Sequence, residues 1–264
     1  MLRRKHGSLA ERFPAPATPW SSDYMVRRER FWTAVLDDPE TLERFASRAE
    51  LPEGYGLGLD ERCIEFVWLL AQEPRGTMLD AGATLNNPPI LDRFLPHVEA
   101  LHILTLAYEG YAFPDRGISY VYGDLRRLPY RDGFFDTVAS LSTLEHVGMD
   151  NTRYAEGATA SGDPRGDRLT AARELRRTVA PGGRLLVTVP YGMGEDGGWF
   201  EQLDRETLPE LAAALGENAI VEIFRYETSG WRRSSVDDAA DARYGAPLPA
   251  AEAVACITVV APAA

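Results

Sequence analysis

The sequence predicts an α/β protein: a mainly parallel sheet covered by helices on both faces. Three observations carry that expectation. From about residue 77 onward, short apolar runs alternate with helix-like segments, the texture of repeated β-α-β units. The first of those runs ends in an acid, a glycine and small residues before the next helix begins, as strands leading into ligand-side turns do. With 264 residues and 45% hydrophobic content, the chain can bury a sizeable core without disulfides.

The elements follow in order. Residues 1–22 are rich in Pro, Ala, Ser and charge and read as a flexible arm. Residues 23–72 read as an N-terminal helical cap. Within it, 24–50 carries Phe31, Val35, Leu36, Leu42 and Phe45 at helical spacing. A glycine-rich break at 52–58 follows, then a second helix from Asp60 to about Gln72, with Asp60 as its expected N-cap. Residues 73–264 hold seven expected strands: 78–79, 101–106, 118–122, 135–141, 184–189, 220–226 and 254–260. Helices are expected near 88–96, 168–179 and 205–216, and a helix ending in the Pro181-Gly182-Gly183 turn leads into the fifth strand. About 25 residues containing Trp231 and Tyr244 join the last two strands, and connections of that length are often functional.

Charge narrows the function. Lys plus Arg number 28 against 40 Asp plus Glu, a net charge of -12. Such a surface does not suit sequence-independent nucleic-acid binding or docking on an anionic membrane. It leaves room for a small acidic ligand held by local arginines. No apolar run approaches a membrane span, and no apolar stretch follows the basic N-terminus as in a signal peptide. Cys63 and Cys256 sit in apolar segments, as buried thiols of a cytoplasmic protein would. No cysteine or histidine spacing resembles a zinc site, so no metal is expected.

Three stretches carry chemistry. In Leu79-Asp80-Ala81-Gly82-Ala83, a strand ends in an acid and a glycine that lets backbone approach a ligand. The second stretch is Gly123-Asp124-Leu125-Arg126-Arg127-Leu128-Pro129-Tyr130, followed by Phe134 to Gly148, which ends in Thr143-Leu144-Glu145-His146-Val147-Gly148. The third is Ala180-Pro181-Gly182-Gly183-Arg184 leading into Leu185 to Pro190. In order and spacing, these motifs resemble the class I S-adenosylmethionine-dependent methyltransferases of the type-11 group, over roughly residues 60–264. The resemblance implies a Rossmann-like, seven-stranded, mostly parallel sheet with an antiparallel last strand. It implies S-adenosyl-L-methionine as cofactor and a small-molecule acceptor, most readily an oxygen of a sugar or other natural product.

The resemblance also assigns roles. Asp80, Ala81 and Gly82 match the motif that cradles the methionine end of the cofactor. Asp124 matches the acid that accepts the adenine amino group, with the Leu125 N–H near the ring. Ser140 and Leu141 lead into the segment below the sulfonium. Two positions depart from the pattern. Ala83, Thr84 and Asn86 stand where further glycines are usual, and Thr105 stands where an acid usually grips the ribose, leaving Glu109 as the substitute. For chemistry, His146 is the expected general base, since imidazole titrates near neutrality. Glu145 is its companion in catalysis or in fixing the loops. Because of the two departures, a non-catalytic scaffold with the same fold stands as the alternative.

Overall fold

The computed structural model describes Phe13 and residues 18–108, 110–245 and 250–263. The arm expected over residues 1–22 therefore lies mostly outside the described residues. The cap does not form one helix over 24–50. It forms α1 (Ser22–Leu36) and α2 (Pro39–Ala46), separated at Asp37-Asp38. Pro39 cannot donate to a continuing helix, so it opens a new one. Asp38 caps that helix by accepting from the Thr41 N–H at 3.3 Å.

The next helix, α3 (Arg62–Ala71), lacks the expected cap. Asp60 does not cap it; its carboxylate is spent on Arg28, 2.7 Å away. The preceding break is tight for a reason. Gly56 has φ +60, and a side chain there would meet Cys63 Sγ at 2.5 Å.

The sheet strands are β1 (Thr77–Ala81), β2 (Ala100–Thr105), β3 (Ile118–Tyr122), β4 (Phe135–Leu141) and β5 (Val179–Pro190), then β6 (Ile220–Glu227), β7 (Gly230–Ser234) and β8 (Ala253–Val260). Helices α4 (Pro88–Phe94), α5 (Pro164–Thr178) and α6 (Thr207–Leu215) lie between them in sequence. The order across the sheet is β3-β2-β1-β4-β5-β8-β6-β7. Strands β1 to β5 pair in parallel, whereas β8 runs antiparallel between β5 and β6. The seven expected strands are all present, and the antiparallel one is the last.

The eighth strand is a correction. β7 lies within the connection read as a long loop and forms a hairpin with β6. Its Gly-Trp-Arg-Arg-Ser sequence has only one large apolar residue, so no apolar run signals it. The strand is held elsewhere: the Trp231 N–H donates to Tyr55 O at 2.8 Å and its indole N–H to Leu59 O at 3.0 Å. A second correction concerns Pro181-Gly182-Gly183. The helix stops at Thr178 and these residues lie inside β5. The register against β4 shifts there, and Gly182 adopts φ +72. The glycines serve an irregularity of the strand, not a helix cap.

Adjacent strand residues feed opposite cores, as a two-faced sheet requires. Met78 joins one and Leu79 the other; Leu186 and Leu185 divide likewise. The first core also takes Tyr24, Phe31, Trp32 and Trp68 from α1 and α3. The helical cap thus shares its core with one face of the sheet. No helix among the described residues is long and apolar enough to cross a membrane.

Candidate functional site

The C-terminal ends of β1, β2, β3 and β4 open into a cleft of about 770 Å³. Open parallel sheets bind ligands at this edge, where the strand order reverses between β1 and β4. From β1 come Gly82, Ala83 and Thr84; from β2, Leu104 to Tyr108; from β3, Gly123 to Arg126. The segment after β4 supplies Ser142, Thr143 and His146, and the cap supplies Arg28 and Trp32 from α1 with Arg62 and Phe66 from α3.

The turn after β1 is strongly constrained. Gly82 has φ +125, and a side chain there would fall 2.1 Å from Thr143 Oγ1. Asp80 is fully buried beneath this turn and accepts from the Leu85 N–H at 2.8 Å. Ser140 is equally buried and donates its hydroxyl to Ala81 O at 3.0 Å. Leu141 O accepts from the Thr84 and Thr143 hydroxyls at 2.9 and 3.0 Å. Asp80, Ala81, Ser140 and Leu141 therefore lie under the cleft and hold its floor. Gly82, Thr105, Asp124 and Leu125 line it. Glu109 lies outside the described residues.

Asp124 does not face the cleft alone. Arg126 grips its carboxylate with a backbone N–H at 2.8 Å and guanidinium contacts of 2.5 to 3.0 Å. Arg126 is itself anchored by Asp167 at 2.5 Å. Burial pushes the Asp124 carboxyl up, but the bonds from Arg126 outweigh it and hold the group below the usual aspartate value.

At the other end sits His146, in a short 3-10 turn (Leu144–His146) after β4. Its Nδ1 lies 2.8 Å from Trp199 O. A carbonyl can only accept, so the neutral ring carries its proton on Nδ1 and keeps a lone pair on Nε2. The ring stacks on the Trp199 indole, 4.9 Å between centroids and 11° between planes. Burial holds the imidazole below its ordinary 6.5, so it is neutral at pH 7.

Glu145 is fully buried, and neither carboxylate oxygen has a hydrogen-bond partner among the described residues. Its Oε1 is 3.8 Å from His146 Nε2, beyond hydrogen-bond reach. Desolvation raises its carboxyl from 4.5 to about 8. Two more buried acids stand near it on the cap. Glu65 accepts from the Ser142 and Thr188 hydroxyls, each at 2.5 Å, and is paired with Arg62. Glu61 is also raised by desolvation to about 8. Position in the sequence hides this cluster, because Glu61 and Glu65 lie some 80 residues before Glu145. Among the described residues no group of three His, Cys, Asp or Glu is arranged to hold a metal.

Other aromatic and histidine side chains divide between core and cleft. Tyr24 and Trp68 are core residues with no exposure, whereas Trp32 reaches the cleft. His102 is edge-on to Tyr130, Phe134 and Phe135, away from the cleft. Tyr191 is buried and donates its hydroxyl to Val236 O at 3.0 Å. The loop it begins reaches the site through Trp199, against His146, and through the Glu201 N–H, which donates to Glu145 O at 2.9 Å.

Residues 99–187 match a family model described as a methyltransferase domain. Among solved structures, the N-methyltransferase NodS from Bradyrhizobium japonicum WM9, crystallised with S-adenosyl-L-homocysteine, is 15% identical. It aligns over 96% of each chain with a TM-score of 0.50. The chain has the class I methyltransferase fold. The [4+2]-cyclase SpnF also aligns, at 18% identity over 95% of this chain and 99% of that one, TM-score 0.49. The YcgJ protein from Bacillus subtilis aligns at 12% identity over 76% of this chain and 99% of its own, TM-score 0.47. No curated protein matches the sequence.

Methyltransferases of this class take their methyl group from S-adenosylmethionine, and the cleft fits such a cofactor. The backbone N–H groups of Ala83, Thr84 and Leu125 make no hydrogen bond with any described residue. All three residues line the cleft. A side chain at Gly123 would project into open space, so glycine leaves that stretch of the cleft clear.

Proposed function

We propose that the protein transfers the methyl group of S-adenosylmethionine to a hydroxyl oxygen of a small molecule, with His146 as general base. The single observation behind this reading is the fixed tautomer of His146 at the cleft, a neutral ring with its lone pair on Nε2. When bound, the cofactor supplies an electrophilic sulfonium methyl. The unpaired N–H groups of Ala83 and Thr84 suit the carboxylate of its methionine end. The Leu125 N–H and the Asp124 carboxylate suit the adenine edge. Thr105, at the end of β2, offers the ribose one hydroxyl where an acid would offer two acceptor oxygens. Glu109 is proposed as a second ribose contact.

Methyl transfer is an in-line displacement, so the protein's largest task is alignment. A neutral hydroxyl is a weak nucleophile, and a base that accepts its proton as the new bond forms contributes about 10²–10⁴-fold. His146 Nε2 takes that proton. The imidazolium so formed lies 3.8 Å from the Glu145 carboxyl, which keeps its own proton, and the imidazolium later returns its proton to solvent. The cap helices α1 and α3 close the acceptor side with Trp32 and Phe66 and exclude water there. On this reading the domains are the cap over 23–72 and the methyltransferase unit over 73–264.

The test pairs calorimetry with turnover. S-adenosylmethionine and S-adenosylhomocysteine should both bind the wild-type protein and His146→Ala alike. In acceptor screens against sugars and phenolic metabolites, the variant should lose about 100-fold or more in kcat. Undiminished turnover would remove His146 as the base. Failure of a folded sample to bind either ligand would support the scaffold alternative.

A further inference from the structure

The chain carries a net charge of -12, yet the charged residues lining the cleft, among those described, are four arginines and one aspartate. Three of the arginines are committed: Arg28 to Asp60, Arg62 to Glu65, and Arg126 to Asp124 and Asp167. Arg153 is different. It makes no ion pair or hydrogen bond with any described residue. Its guanidinium carbon lies 4.2 Å from the centroid of Trp199 and 5.7 Å from that of Tyr154.

Its position is built rather than incidental. Asn151 ties the loop to the catalytic turn, donating its side-chain amide to His146 O at 2.7 Å and Met149 O at 3.2 Å. The Trp199 indole touches both the guanidinium, at 4.2 Å, and the His146 ring, at 4.9 Å. These two distances bound the separation of guanidinium and imidazole at about 9 Å. A ligand spanning that gap would meet the Tyr154 ring, 5.7 Å from the guanidinium and 6.1 Å from the His146 ring, in a cleft that Trp32, Phe66 and Met149 also line.

We infer that the methyl acceptor is a hydroxy acid with an apolar body, its carboxylate or phosphate held by Arg153 while its hydroxyl meets His146. This rests on the methyl-transfer reading for the hydroxyl, but the anion subsite stands on Arg153 itself. An acidic protein repels an anion at long range, so a cleft-lining arginine with no ion-pair partner among the described residues compensates locally. The planar fork of Arg153 suits bidentate contact with either anion.

The test titrates three probes calorimetrically: 4-hydroxybenzoate, 4-hydroxyphenyl phosphate and the uncharged 4-hydroxybenzyl alcohol. Each is run with and without S-adenosylhomocysteine, so that a failed cofactor site and a failed anion site read separately. At least one anion should bind about tenfold or more tighter than the alcohol. Which anion wins separates a carboxylate from a phosphate acceptor. Arg153→Ala should abolish the preference and Arg153→Lys should retain part of it, with S-adenosylhomocysteine affinity unchanged in both. Absence of binding by both anions, equal binding of the alcohol, or a preference surviving in Arg153→Ala would each overturn the inference.

Discussion

Glu145→Gln is the sharpest test of the buried acids behind the site. The Glu145 carboxylate has no hydrogen-bond partner among the described residues, and burial raises it from 4.5 to about 8. The folded state therefore holds a proton that the unfolded chain releases. Between those two values the unfolded state binds fewer protons, so stability falls as pH rises and levels off above about 8. At 1.36 kcal/mol per pKa step, the full cost at high pH is about 5 kcal/mol. About 1.4 kcal/mol of it falls between roughly pH 7 and pH 9. Glutamine has the same shape and does not titrate. Its own unpaired amide adds a constant offset, but not a slope.

The assay is urea unfolding of both proteins at a series of pH values. Glu61, also raised to about 8, titrates in both and largely cancels in the difference. Glu65, Arg62 and Tyr244, which also act on Glu145 or are acted on by it, are common to both as well. The Glu145→Gln protein should gain on the wild type by about 1.4 kcal/mol between roughly pH 7 and pH 9. Parallel stability curves across that window would refute the reasoning and show that Glu145 is solvated or partnered in solution.

Other expectations follow from the same geometry. Turnover should be flat at neutral pH and fall only below 6.5, where the buried His146 ring protonates and ceases to be a base; a pH-kcat profile checks this. Asp124→Ala should weaken S-adenosylhomocysteine binding about tenfold in calorimetry, the loss of one charge-assisted hydrogen bond. Gly82→Val should cost about 2 kcal/mol or more of stability, because φ is +125 there and a side chain would strike Thr143; a lowered urea midpoint reads it.

Much of the fold was legible because its strands are buried on both faces. Such strands write themselves as apolar runs, and β1 to β6 and β8 each left one. β7 left none, since its pairing with β6 and its clasp on Tyr55 and Leu59 rest on backbone and one indole. The split between α1 and α2 was written at Asp38-Pro39, but the apolar spacing on either side runs through it in phase. Asp60 looked like a cap because caps are judged locally, while its partner Arg28 stands 32 residues away in the chain.

The site divides along the same line. Gly82, Thr105, Asp124 and Leu125 follow strand ends, so a motif that locates the strand also locates the residue. What surrounds His146 has no such mark. Its tautomer is fixed by a carbonyl 53 residues away, its neighbouring acids come from a helix before the first strand, and Arg153 belongs to a loop with no motif. On the proposed reading, that asymmetry follows from what the two halves must do. A cofactor-binding edge depends on backbone geometry that the strand-turn pattern dictates. An acceptor pocket depends on side chains gathered from several elements, so its chemistry emerges only once the cap and the loops are folded over the sheet.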